Sequence, residues 1–163
     1  MNRDDLLEGK SVLIVDDEPD ILETLKELLS MCEVETASSF EEARDKLENG
    51  RFDLTILDIM GVNGYALLEL ATEKKITAIM LTANALSPED TIKSHEKGAA
   101  YYLPKEELLN IQQHLRDVLK AQKEGKSTWW RWFDKFASFY EDKFGSDWQD
   151  KDKSYWDKFK NYY

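Results

Sequence analysis

The chain is predicted to adopt an α/β fold, a doubly wound five-stranded parallel sheet with helices on both faces, followed by a helical C-terminal extension. Three observations carry this. Five short apolar runs alternate with stretches whose apolar residues recur every three or four positions, the pattern of strand–helix units around a covered parallel sheet. Acidic, hydroxyl and basic residues stand at the ends of those runs, where such sheets present their chemistry. The aromatic residues also change density abruptly near Gly125.

Residues 11–16 (SVLIVD) are nearly all apolar and β-branched, as a central strand buried on both faces requires. Pro19 then sits where a first helical turn tolerates proline, and Ile21, Leu22, Leu25, Leu28 and Leu29 line one helical face. Residues 34–37 form a shorter, more polar strand. Ser39, Phe40, Glu41 and Glu42 make a capping-box start for a helix ending at Asn49 and Gly50. Residues 53–58 (DLTILD) are the third strand, with a helix over 65–73, and residues 76–82 are the fourth strand. Ser87, Pro88 and Glu89 open a helix that Gly98 ends. Residues 99–103 are the fifth strand, and one helix over 106–123 presents Leu108, Ile111, Leu115, Val118 and Leu119 to the core.

Composition narrows the function classes. The 163 residues carry 22 basic and 33 acidic side chains, a net charge of −11, with 42% hydrophobic residues. That field repels phosphate backbones and anionic lipid, so no nucleic-acid partner is expected and membrane binding is disfavoured, while divalent cations and basic protein surfaces are attracted. Cys32 is the only cysteine, so no intramolecular disulfide is required, and the polar N-terminus lacks an apolar signal core; a cytoplasmic location is predicted. The acidity belongs to residues 1–124, with net charge −12, against +1 for residues 125–163. The second segment holds 14 of the 19 aromatics and all five tryptophans, so the domain boundary is placed between 124 and 125.

The strand ends converge on one edge. Asp16 and Asp17 follow the first strand, Asp58 ends the third, Thr82 the fourth, and the fifth leads to Lys105. Carboxylates held close raise each other's pKa unless a cation neutralises them, and a hard divalent ion such as Mg²⁺, which takes oxygen ligands, suits them. With the charge screened, a carboxylate can act as a nucleophile on phosphorus, and Asp58 is the central one. Thr82 and Lys105 would then hold the phosphoryl oxygens.

The segments V-L-I-V-D-D-E-P-D, T-I-L-D-I-M, M-L-T-A-N and Y-Y-L-P-K, in that order, resemble the receiver domain of bacterial two-component response regulators, over about residues 10–122. The resemblance implies a flavodoxin-like receiver fold in which Asp58 accepts a phosphoryl group from the phosphohistidine of a histidine kinase or phosphotransfer protein. It implies that Asp17, Asp58 and the Met60 backbone carbonyl ligate Mg²⁺, with Asp16 placing the metal, often through water. It further implies that Thr82 and Tyr102 are switch residues, Tyr102 moving inward behind Thr82, and that the face of the fourth helix, fifth strand and fifth helix passes the signal to a downstream protein. The chain departs from the family twice: the loop Ile59–Gly64 is shorter and lacks a proline, and Lys105 is followed by Glu106 where the family has proline. A trimmed third helix and a different loop aiming Lys105 are therefore expected.

The receiver is expected not to act as a turnover enzyme and to lack a DNA-binding output. One rival is a pseudo-receiver, a constitutive protein-interaction module that is not phosphorylated. Another is an aspartyl-nucleophile phosphatase, disfavoured because Met60 stands where such enzymes place a second aspartate. His95 and His114 have no companions at ligand spacing and are read as surface or interface residues. In the tail, Trp129, Trp132, Phe133, Phe136, Tyr140 and Phe144, then Tyr155, Phe159 and Tyr162, recur at helical spacing. They suit packing on the receiver, a docking or homodimer surface, or, less well, a membrane surface.

Overall fold

Strand β1 (Ser11–Val15) runs through the centre of the molecule, with Val12 to Val15 fully enclosed, and the order of the remaining elements follows from it. The computed structural model describes residues 5–83 and 88–126. Over these the chain forms β1, α1 (Pro19–Leu28), β2 (Glu33–Ala37), α2 (Phe40–Asn49), β3 (Leu54–Asp58), α3 (Gly64–Glu73), β4 (Thr77–Thr82), α4 (Pro88–Glu96), β5 (Tyr101–Pro104), a 3-10 helix (Lys105–Asn110) and α5 (Ile111–Lys123). All four strand pairings are parallel, in the order β2-β1-β3-β4-β5. Because β–α–β crossovers are right-handed, reversing the winding direction at β1 puts α1 and α5 together on one face and α2 and α3 on the other. This is the predicted doubly wound arrangement. No helix among the described residues is long and apolar enough to cross a membrane.

Local signals explain most boundaries. Ser39 Oγ accepts the Glu42 amide at 3.2 Å, and the Glu42 carboxylate reaches back to the Ser38 amide at 2.8 Å, a reciprocal cap one residue wider than the standard box. The buried Thr55 hydroxyl in β3 donates to the Leu13 carbonyl at 3.0 Å, so its polarity costs the core nothing. Helix α3 starts at Gly64, one residue before the predicted start, because the shortened loop brings that backbone against β3. A Cβ at 64 would lie 2.2 Å from the Asp58 carbonyl oxygen. Tyr65, next in the chain, donates its hydroxyl to Asp90 at 2.7 Å, which fastens α3 to α4.

The single helix predicted over 106–123 is instead two elements. Residues Lys105–Asn110 form a 3-10 helix before α5 begins at Ile111. A three-residue period places Lys105, Leu108 and Ile111 in one row facing inward, whereas Leu109 turns outward at 76% exposure. His114 also departs from expectation. It is buried on α5, with Nδ1 3.0 Å from the Tyr101 hydroxyl, because the inward stripe of α5 includes position 114 between Ile111 and Val118. Gly125, at φ +69, closes α5, and the Lys126 amide returns to the Ala121 carbonyl at 2.7 Å. Ser87 and the tail residues Trp129, Trp132, Phe133, Phe136, Tyr140, Phe144, Tyr155, Phe159 and Tyr162 lie outside the described residues, as do the expectations placed on them.

The turn preceding β1 is tied to α5 by a two-pronged ion pair, Arg116 Nε to Asp5 Oδ1 at 3.0 Å and Nη2 to Oδ2 at 2.8 Å. The Arg116 hydrogen bond, with the Leu7 amide, lowers the Asp5 carboxyl from 3.8 to about 2. A carboxyl lowered in the fold adds stability above its ordinary pKa and loses it as pH falls through the folded value. Asp5→Asn is therefore expected to lower the melting temperature by about 2–4 °C at neutral pH. The difference from the wild type should close between about pH 4 and pH 2 in thermal scans.

Candidate functional site

Parallel register assembles the site at the carboxyl edge of the sheet. Val15 pairs with Leu57, so Asp16 and Asp58 emerge side by side from adjacent strands. Asp58 in turn pairs with Leu81, and Thr82 with Pro104, which brings the start of the 3-10 helix alongside. Proline is tolerated at 104 because β5 is an edge strand.

Lys105 stands at the centre of this edge. Its Nζ lies 2.9 Å from Asp16 Oδ2, 3.1 Å from Glu18 Oε1 and 3.5 Å from Asp58 Oδ1, with the lysine side chain 10% exposed. Lys105 opens the 3-10 helix, which brings its ammonium to Asp58. Asp16 is fully buried and Asp58 nearly so. Burial raises Asp16 above the ordinary carboxylate value, against the Glu18 amide and Lys105, which pull it down. Burial, then the Asp16 charge, pushes Asp58 up to about 7, with Lys105 opposing and Asp17 adding to the rise. For Lys105, burial works against the charged form, but the Glu18 hydrogen bond and the nearby charges of Asp16 and Asp58 outweigh it and leave the ammonium above its ordinary value.

The donor set suits a hard divalent cation. Asp16, Asp17 and Glu18 can bring ligand oxygens within 4.8 Å of one another. Asp16 Oδ1 is engaged by the Glu18 amide at 2.9 Å, whereas the enclosed Oδ2 meets Lys105 only as an ion pair, without hydrogen-bond alignment. A buried carboxylate oxygen in that condition, among other carboxylates, is well matched to Mg²⁺. Asp17 is exposed at the mouth, and the backbone of Gly61, at φ +78, closes directly on it. A Cβ at 61 would lie 2.6 Å from Asp17 Oδ2. The Met60 side chain faces solvent, and its carbonyl accepts the Val62 amide at 2.9 Å, leaving one lone pair for another partner.

The other expected residues are in place with different surroundings. Thr82 is buried at the end of β4. Tyr102, expected to move inward, is already fully enclosed opposite Met80. Two residues escaped the sequence reading. Glu18 is adjacent to the aspartate pair and its acidity was a visible signal, but its reach to a lysine 87 positions away was not. Gly61 became legible only once the loop was folded against Asp17.

Residues 12–117 match the family model described as the response regulator receiver domain. The chain belongs to that family. A two-component response regulator of Arabidopsis thaliana is 36% identical over 71% of this chain and 23% of its own length. One of Oryza sativa subspecies indica is 38% identical over 69% of this chain and 18% of its length. The chain thus spans less than a quarter of these curated relatives. Among solved structures, a CheY-like receiver domain protein from Methanospirillum hungatei superposes with TM-score 0.65 at 30% identity, over 72% of this chain and 99% of that one. The Vibrio cholerae chemotaxis protein CheY4 gives 0.57 at 32% identity, over 65% and 98%. The sequence motifs and the fold agree with this membership, and receivers of the family generally bind Mg²⁺ at an acidic pocket.

Two outcomes are expected for this receiver. A carboxyl raised in the fold adds stability fully below its ordinary 3.8 and loses it as pH rises through about 7. In EDTA, Asp58→Asn should therefore exceed the wild type in stability by roughly 1–3 kcal/mol above about pH 7, the gap closing towards pH 4 in urea titrations. Gly61→Ala should weaken Mg²⁺ binding about ten-fold by calorimetric titration, because the new Cβ displaces the Asp17 carboxylate.

Proposed function

We propose that this receiver is a phosphoacceptor, with Asp58 taking a phosphoryl group from the phosphohistidine of a histidine kinase or phosphotransfer protein. The observation that carries this reading is the single ammonium of Lys105 within 3.5 Å of both Asp16 and Asp58 at the sheet edge. An Asp58 oxygen forms a bond to phosphorus while the bond from phosphorus to the donor breaks, and the donor leaves with that electron pair. Asp58 is held in reach by β3, whose last residue it is, and by the Gly64 backbone packed on its carbonyl. Lys105 meets the negative oxygens of the transferred group, and the Thr82 hydroxyl, one residue beyond the Asp58–Leu81 pair, supplies a second contact. Asp16, Asp17 and Asp58 with the Met60 carbonyl would hold Mg²⁺, which would supply charge neutralisation for the incoming group.

Phosphorylation would then shift Thr82, Tyr102 and the α4–β5–α5 face, altering contacts with a downstream protein or with a second copy of the chain. The Tyr65–Asp90 hydrogen bond gives the acceptor loop a direct hold on α4. The reaction is a single event ended by hydrolysis, not enzymatic turnover. The altered loops after Asp58 and Lys105 favour the pseudo-receiver reading, but Lys105 lies near Asp58 in spite of them.

Incubation with Mg²⁺ and acetyl phosphate, followed by intact-protein mass, tests the reading. One added phosphate on wild type and none on Asp58→Asn is expected. All five tryptophans lie in 125–163, so a concurrent fluorescence change would report that the extension responds. No phosphate on wild type, with no Mg²⁺ binding, would favour the pseudo-receiver.

A further inference from the structure

The resting contacts of Lys105 are unequal in a way that singles out Glu18. Glu18 is the N-cap residue of α1, yet its side chain does not cap the helix. It extends instead to Lys105 Nζ, making the aligned hydrogen bond of the three acidic contacts at 3.1 Å. The Glu18 side chain is 55% exposed, while those of Asp16 and Asp58 are 0% and 5% exposed. When the lysine turns to a phosphoryl group on Asp58 it must yield a partner. Releasing Asp16 would take the nearest counter-charge from a fully buried carboxylate that water cannot reach, which is costly. Releasing Glu18 costs little, because water takes over its oxygens.

Resting on the phosphoacceptor reading, we propose that Glu18 is a positioning residue that holds Lys105 toward the mouth of the site and restrains phosphorylation of Asp58. Its carboxylate competes with the incoming phosphoryl oxygens for the same ammonium. The bond changes at phosphorus are those given above; Glu18 takes no part in them and acts through Lys105.

The test compares wild type, Glu18→Gln and Glu18→Asp in the full chain, at saturating Mg²⁺ with acetyl phosphate. The Lys105 ammonium resonance, read by ¹⁵N NMR without donor, is expected in wild type and lost or broadened by solvent exchange in both variants, since aspartate is one methylene too short. The phosphorylation rate, followed by intact mass, should rise roughly three- to five-fold in both. Equal or slower rates in Glu18→Gln overturn the proposal, and slower rates with weaker Mg²⁺ binding would make Glu18 a metal ligand instead. A wild-type rate in Glu18→Asp would assign the effect to charge at the mouth and equally overturn it. Failure of wild type to take up phosphate would remove the phosphoacceptor reading itself, and this proposal with it, an outcome distinct from equal rates.

Discussion

Two carboxylates that would repel one another, Asp16 and Asp58, are buried side by side at the end of a hydrophobic sheet, and one ammonium holds the arrangement together. Everything at the carboxyl edge is organised by that constraint. Isolated charges at this depth would neutralise by protonation, and the raised pKa of Asp58 shows the tendency. Lys105 offsets part of the penalty from 2.9 Å and 3.5 Å, and the remaining unfavourable field is what makes the edge receptive to a divalent cation. A site that is electrostatically incomplete in this way is suited to a cation, because a bound cation relieves repulsion present in the resting fold.

The architecture meets this constraint with short, tightly closed connections. Between Asp58 and α3 the loop closes through Asn63 and Gly61 at positive φ and through Gly64, where the backbone approaches that of Asp58 too closely for any side chain. The same economy appears after β5. Without a proline following the lysine, the chain enters a 3-10 turn, and its three-residue repeat aligns Lys105 with the buried Leu108 and Ile111. The apolar pair anchors the turn and so aims the charge.

The edge is also mechanically connected to the rest of the fold. Tyr65 follows directly on Gly64, and its hydroxyl binds Asp90 while Lys93 lies over its ring at 4.2 Å; Lys97 pairs with Glu69 one turn further along. Side chains of α3 thus join the loop after Asp58 to α4. These contacts stand beside the Thr82 and Tyr102 route that the family resemblance suggests.

The sequence by itself determined the order of the strands and α-helices and the aspartates at the strand ends, but not the 3-10 helix, because apolar periodicity and strand-end position are local properties. SVLIVD and DLTILD can be read as buried strands from composition alone, and Asp16, Asp17 and Asp58 from their places at the strand ends. The tertiary structure alone decided how Lys105 is aimed, that His114 is buried against Tyr101, that Tyr102 is already enclosed, and that Glu18 and Gly61 belong to the site. Each of these depends on contacts between segments far apart in the chain. Which of several neighbouring carboxylates a lysine meets, and which backbone closes on which side chain, is settled by packing distances of a few tenths of an ångström, and no local pattern of residues encodes them.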